Sequence, residues 1–364
     1  MTSAAAFRPD PLAGKLPVTL ITGYLGSGKT TLISRLVKHP DMHRVAVVIN
    51  EVGEIGIDHD LVSLTSENIT LLANGCICCS VRTDLQETLR DLFARRQVGE
   101  VFDFDRVIVE TTGLADPAPV IQTLISDTLI GAHFRLDGLV TLVDAYHGLD
   151  LLARSPEAIK QVAVADRIFI TKSDLVEETQ VQQLQQCLSQ LNPRAAQARV
   201  LHGDLQPQQL LNLGLGSARA GDQTLHFLGE SLAPPDSSLD QPADEGRYLG
   251  QQSAAHDASI QTLSLRFQSP FSWSAFSSAL ELLTSMRGPD LLRVKGIVNV
   301  EGRPVVVQGV QHLFHPPIEL DHWPSADTDS RLVFITRHID ADVIRRLFEV
   351  VGQLGQGTFQ SVAA

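Results

Sequence analysis

Cys76, Cys78 and Cys79, three of the four cysteines in the chain, stand within the segment LLANGCICCSV. Thiols spaced so closely are soft ligands for one metal ion, or else a redox pair or inert buried groups. Upstream, Gly23-Tyr24-Leu25-Gly26-Ser27-Gly28-Lys29-Thr30 fits the pattern G-x-x-x-x-G-K-[ST]. That pattern binds phosphate for a physical reason. Glycines let backbone N–H groups wrap the phosphates, a lysine reaches the β and γ oxygens, and a hydroxyl binds Mg²⁺. The same chain therefore offers a phosphate loop, with Thr30 as the Mg²⁺ ligand, and a soft metal site. An ordinary glycine-rich turn before a helix is the plain alternative for the loop.

Two further motifs follow in the order such a loop requires. Val109-Glu110-Thr111-Thr112-Gly113 closes an apolar run. There Glu110 can hold Mg²⁺ through water or orient an attacking water, and the Gly113 N–H can sense a γ-phosphate. An acid at a strand end is common, so its weight comes from lying one strand–helix unit beyond the loop. Thr171-Lys172-Ser173-Asp174 follows the run RIFI. A carboxylate here accepts from guanine N1–H and its amino group, which adenine cannot supply, and the Lys172 stem can cover the ring. The bland alternative is Asp174 capping a helix over 177–190.

For the metal, Cys78 and its neighbours in an extended backbone would place positions i and i+2 on one side. Three thiolates fall short of a closed four-ligand zinc site, which suits an ion meant to leave. Glu54 in NEVGEIGID is the first candidate to complete the shell, with Glu51 and His59 behind it.

The elements that would position these groups read as α/β. Apolar runs at 17–23, 45–50, 107–111, 138–144 and 167–171, with a further one at 198–202, alternate with helical patterns at 29–38, 83–95, 117–126, 156–164 and 177–190. This is the signature of a P-loop NTPase-type parallel sheet wound with helices. From about 216 to 259 the texture turns to Pro, Gly, Ser and acids, as in a linker. Beyond it IQTLSLRF, WSAFSSALELLTSM stopped by Gly288, a hairpin of LLRVKGIVNV with PVVVQGVQHLF around Glu301 and Gly302, RLVFITRH and a helix capped near Asp340 make a smaller α+β domain. The expected division is a tail over 1–15, a nucleotide domain over 16–215, a linker over 216–259 and a C-terminal domain over 260–364.

Composition sets the surroundings. Lys plus Arg is 29 against 42 Asp plus Glu, a formal charge of −13, which argues against tight binding to a nucleic-acid backbone. No apolar run is long enough to span a bilayer, and MTSAAAFRPDPLAGK lacks the layout of a signal peptide. The expectation is a cytoplasmic protein, where thiols stay reduced, with no membrane or nucleic-acid partner. Cys187, alone on the apolar side of a Gln-rich helix, reads as packing. His312 and His315, three apart in an expected strand, would face opposite ways and not chelate together.

GYLGSGKTTL, NEVGEIGID, NGCICC, ETTGLADPAPV, LVDA and TKSDL, in this order, resemble the CobW/YjiA-type metallochaperone GTPases. VKGIVNVEGRPVVVQGVQHLFHPP and RLVFITRHID resemble their C-terminal domain. The resemblance covers nearly the whole chain except the acidic linker. It implies a GTPase of low intrinsic rate that binds Zn²⁺, or in some branches Co²⁺ or Fe²⁺, and delivers it to a client metalloprotein. Carried over, Gly23, Gly26, Ser27, Gly28, Lys29, Thr30 and Thr31 would contact phosphates and Mg²⁺. Lys29, Glu110 and Gly113 would serve catalysis, Lys172 and Asp174 would read guanine, and Cys76, Cys78 and Cys79 would bind the metal. The chain departs from some close relatives at Ile49, where those place a metal-binding glutamate, which leaves Glu54 and Cys78 as matches to such a site. The His-rich tract of many relatives is also missing, the linker having only His256.

The expected mechanism couples the sites: GTP and Mg²⁺ would order residues 50–80 and assemble the thiolates, and hydrolysis would loosen them. The competing reading is a GTP-regulated maturation module for a metalloenzyme, its cysteines holding structural zinc. A P-loop kinase or ATPase is a third. The client, the physiological metal and any homo-oligomer are beyond the residues.

Overall fold

The computed structural model describes residues 10–36, 38–42, 44–50, 71–74, 77–215, 218 and 260–354, with the backbone alone at 50, 71–74, 77–84 and 353–354. The linker expected over 216–259 falls almost wholly outside these.

The first unit is a parallel sheet of seven strands: β1 (Leu16–Gly23), β2 (Val45–Asn50), β3 (Leu71–Asn74), β4 (Arg106–Glu110), β5 (Phe134–Asp144), β6 (Arg167–Thr171) and β7 (Ala196–Val200). Their order is β3-β2-β4-β1-β5-β6-β7, every neighbouring pair parallel. β1 and β4 sit inside the sheet, and their near-continuous apolar sequences are what burial on both faces demands.

Side-chain alternation sends Leu20 and Ile21 into different layers. Leu20 packs with Val107, Val109 and the helices α2 (Ile77–Gln97) and α3 (Ala118–Ser126). Ile21 packs with Ile108, Leu142 and α1 (Lys29–Leu36). A short α4 (Thr128–His133) is capped by Asp127, which accepts from the N–H groups of Leu129 and Ile130. Beyond β5 come α5 (Gly148–Arg154) and α6 (Pro156–Ala163). α6 begins where the Ser155 side chain accepts from Ala158 N, with Pro156 in the first turn. α7 (Glu178–Leu191) closes this layer and buries Cys187, whose thiol is pushed up by burial. That is the packing role expected of it.

The second unit is an antiparallel sheet of β8 (Ile260–Phe267), β9 (Leu291–Val300), β10 (Arg303–Val310), β11 (Leu313–Phe314), β12 (Ile318–Glu319) and β13 (Ser330–Arg337), in the order β11-β10-β9-β13-β8 with β12 on β10. Helices α8 (Trp273–Arg287) and α9 (Ala341–Leu354) cover it, with Phe276, Phe334 and Phe348 in their core. The β9–β10 hairpin turns at Glu301 (φ 53°) and Gly302 (φ 88°), as expected.

Three expectations are corrected. The helix read over 83–95 starts at Ile77, so Cys78 and Cys79 lie in its first turn and not in extended backbone. Two cysteines and Val81 in that turn are weak helix formers and hide its start. The strand read through 304–314 breaks at Gln311 (φ 56°), which makes a two-residue turn between Val310 and Leu313. His312 therefore lies in the turn itself and His315 just beyond the two-residue strand β11, so strand alternation does not relate them. Third, β3, α4 and α5 are elements not anticipated. No described helix is long and apolar enough to cross a membrane.

Candidate functional site

Parallel strands place all their carboxyl ends on one edge, and there the loops after β1, β4 and β6 converge. Gly23 ends β1 at φ 144°, and a Cβ on it would meet Leu142 O at 2.5 Å. Only glycine lets the chain turn so close to β5. Lys29, in the first turn of α1, is buried and crosses back over the loop, donating to Gly23 O at 2.7 Å and Tyr24 O at 3.2 Å. Burial pushes its ammonium pKa down, and Glu110 acts in the opposite sense. Ser27 Oγ is buried with no hydrogen-bond partner among the described residues.

Glu110 comes from the end of β4, beside β1. Its Oε1 accepts from Thr30 Oγ at 3.2 Å, although 80 residues separate them. A hydroxyl and a carboxylate meeting next to a glycine-rich loop form a donor set of oxygens, the kind Mg²⁺ takes together with waters and phosphates. Thr111 fixes the strand end, its Oγ1 donating to Thr22 Oγ1 at 2.8 Å and its N–H to Ile21 O at 2.9 Å. Gly113 follows against the loop backbone: a Cβ there would lie 2.6 Å from Leu25 N. The segment after β4 thus touches the phosphate loop directly.

Lys172 adopts a left-handed φ of 55° and donates from Nζ to Asp144 Oδ2 at 2.6 Å. Asp144 ends β5 and is buried, its Oδ1 accepting from Tyr146 N at 2.7 Å. Thr171 Oγ1 donates to Ser27 O at 2.8 Å and ties the strand to the phosphate loop. Asp174 sits in a short 3-10 turn, Ser173–Leu175, and the helix beyond it has Glu177 at its N-cap with no side-chain cap bond. Asp174 therefore does not cap α7. His202 Nε2 lies 3.8 Å from its Oδ2. The plain capping alternative fails.

The sequence analysis gave no role to Asp144, Thr111 or Gln161. Asp144 stands in LVDA, an acid closing an apolar strand as Glu110 does, and Thr111 stands in ETTG; Gln161 carries no signal of its own. A small hollow behind the loop is lined by Tyr24, Leu25, Val143, Leu151, Leu152 and Gln161 among others. None of Thr30, Glu110, Lys172 or Asp174 lines it, so this largely apolar hollow is not the nucleotide site.

For the metal site, Cys76, Glu51, Glu54 and His59 lie outside the described residues, as do the side chains of Cys78 and Cys79. Among the described residues no cluster of three His, Cys, Asp or Glu is arranged to hold a metal. β2 and β3 lead into and out of the segment that carries Glu54, and α2 begins with the cysteines. In the parallel order β3-β2-β4 the carboxyl ends of β2 and β3 lie at the same sheet edge as Glu110. Ile49 is 4% exposed and packs with Ile21 and Ile108, so this position belongs to the core.

Residues 17–199 match the family model for the CobW/HypB/UreG nucleotide-binding domain, and residues 260–351 match the cobalamin synthesis protein cobW C-terminal domain. The zinc chaperone YjiA of Escherichia coli K12 is 33% identical over 335 residues, covering 92% of this chain and 98% of that protein. The zinc chaperone CobW of Pseudomonas aeruginosa is 29% identical over 354 residues, 92% of this chain and 91% of its own. The crystal structure of Zn(II)-bound YjiA GTPase from E. coli superposes with a TM-score of 0.68 at 28% identity, covering 93% of this chain and 99% of that one.

Proposed function

The chain belongs to the CobW/HypB/UreG family, and from that membership we propose that it is a GTP-hydrolysing zinc metallochaperone. The observation that carries the nucleotide half is the Thr30–Glu110 hydrogen bond of 3.2 Å beside the loop that Lys29 crosses. Gly23, Gly26, Ser27, Gly28, Lys29, Thr30 and Thr31 cradle the phosphates. Thr30, with Glu110 behind it, holds Mg²⁺. Gly113 senses the γ-phosphate, and Lys172 and Asp174 take the guanine. When bound, Mg²⁺ neutralises charge on the transferring phosphoryl group.

Zn²⁺ is the cargo, taken by Cys76, Cys78 and Cys79 with Glu54 and surrendered to a client metalloprotein. Relatives carrying the names zinc chaperone and zinc-regulated GTPase metalloprotein activator support this reading. Co²⁺ and Fe²⁺ are the alternative ions. The protein acts in the cytoplasm, where the thiols stay reduced. The family C-terminal domain, 260–364, follows the nucleotide domain, 16–215, across the linker.

A Co²⁺ titration followed by absorption tests the metal half. Thiolate charge-transfer bands are expected in the wild type and a marked loss of them in Cys78→Ser; their absence from the wild type overturns the assignment. The same titration with GDP and with a slowly hydrolysed GTP analogue tests coupling, and equal affinities would refute it. Unfolding on chelation would instead indicate a structural zinc.

A further inference from the structure

The segment after Gly113 is held by side chains from two other parts of the molecule. Gln161, on α6 and 1% exposed, donates from Nε2 to Gly113 O at 3.2 Å and to Ala115 O at 3.1 Å. Its own backbone oxygen accepts from Thr141 Oγ1 at 2.7 Å, which anchors α6 to β5. Next in the segment, Asp116 accepts at Oδ2 from Lys160 of α6 at 3.1 Å and from Gln311 of the C-terminal sheet at 3.2 Å. Its Oδ1 accepts from Ala118 N at 2.9 Å and so starts α3.

Gln311 reaches Asp116 from a conformation that favours glycine or asparagine, with φ of 56°. A long amide kept at such a position points to a use. The preceding Val310 is fully buried in the same apolar cluster as Ala118 and Ile121 of α3, so the turn is seated firmly. The C-terminal sheet also grips the far end of α6. Ala163 packs with Leu292 and Ile335, and Asp166, just beyond the helix, accepts from Arg293 at 2.6 Å and Lys295 at 3.1 Å.

We propose that Gln161 and Gln311 are positioning residues that set the Gly113 segment against the phosphate loop, so that the C-terminal sheet tunes discrimination between GTP and GDP. This rests on the reading of Gly113 as the γ-phosphate sensor. Gln161 satisfies the Gly113 and Ala115 carbonyls and so fixes the backbone that follows the Gly113 N–H. Gln311 fixes the next residue from outside the nucleotide domain. A change in the C-terminal sheet, such as client docking, would reach the γ-phosphate through this pair without touching nucleotide.

The test uses the full chain. Affinities for GDP and for a slowly hydrolysed GTP analogue are measured with kcat and KM in Gln311→Glu, Gln311→Lys and the double variant Asp116→Asn, Gln311→Glu. Gln311→Glu puts a carboxylate against Asp116 and should lower the analogue-to-GDP affinity ratio about five-fold or more. Gln311→Lys keeps a donor and should retain the ratio. The double variant restores a donor–acceptor pair with its polarity reversed and should recover most of the loss. A melting temperature that falls in Gln311→Glu while the ratio and kcat stay at wild-type values would overturn the proposal and leave a structural contact only. Gly113→Ala separates the two readings. Its Cβ displaces the segment, so an unchanged ratio there would overturn the sensor assignment itself, whereas a changed ratio with Gln311→Glu unaffected would overturn only the role of Gln311.

Discussion

The parallel and antiparallel sheets handle their polar residues in opposite ways. In the parallel sheet, Glu110, Asp144 and the Thr171–Asp174 segment sit at strand ends, where a ligand can meet them. The antiparallel sheet instead carries Arg293 and Lys295 within a strand, facing Asp166 of the other unit, with Arg293 4% exposed. Chemistry accumulates where every strand ends on the same edge. An antiparallel sheet has no such edge, and its Arg293 and Lys295 go into the junction between the units.

That division predicts variants with separable effects. Asp166→Ala takes the carboxylate away from buried Arg293 and half-buried Lys295 and should cost about 3–5 kcal/mol of stability, read by denaturant unfolding, while analogue-to-GDP discrimination in the folded fraction changes little. Burial pushes the Asp166 carboxyl up, but Arg293 and Lys295 more than reverse this and hold it at about 2, below the ordinary 3.8. A depressed carboxylate contributes in full above its unfolded value. Acid unfolding of the wild type should therefore steepen between about pH 4 and 2, and Asp166→Asn should flatten that window. A variant as stable as the wild type would end the division.

Lys29→Ala makes the opposite demand. Hydrolysis should fall by about 10²-fold or more, with a modest change in melting temperature, because among the described residues Lys29 donates only to the loop it crosses. A collapse of the fold would show that the lysine holds structure first. Asp174→Ala should erase a GTP preference over ATP worth about 10–100-fold, the scale of a charge-assisted hydrogen bond, measured by competition binding. A preference that survives would move base reading elsewhere.

His315 should give the smallest effect. Burial lowers its imidazole pKa to about 3, helped by Arg293, with Asp166 opposing, while in the unfolded chain it titrates near 6.5. The unfolded state then binds the proton first, so folding weakens as pH drops below 6.5. His315→Gln should lose less stability than the wild type between pH 7 and pH 5, read as denaturant midpoints. Parallel losses in both proteins would mean the ring is not buried neutral.

Much of this was legible in one dimension because the chemistry is encoded locally. The phosphate loop, ETTG and TKSD mark the ends of three strands, β1, β4 and β6, and continuous apolar runs such as VAVVIN fit strands buried on both faces. Elements without a strong local signature were missed. Ile77-Cys78-Cys79 opens a helix whose later turns supply the stability, and six-residue α4 depends on Asp127 at its cap. The break at Gln311 was hidden because its residues alternate as a strand does.

The sequence by itself determined the class of fold, the three nucleotide motifs and the cysteine cluster, since each rests on residue type and spacing along one loop or strand. Only the tertiary structure decided that Thr30 meets Glu110, that Asp174 leaves α7 uncapped, and that Gln161 and Gln311 grip the segment after Gly113. The hydrogen bonds among these join residues 46 to 195 positions apart. No local pattern records them, because they exist only once distant strands and helices have packed.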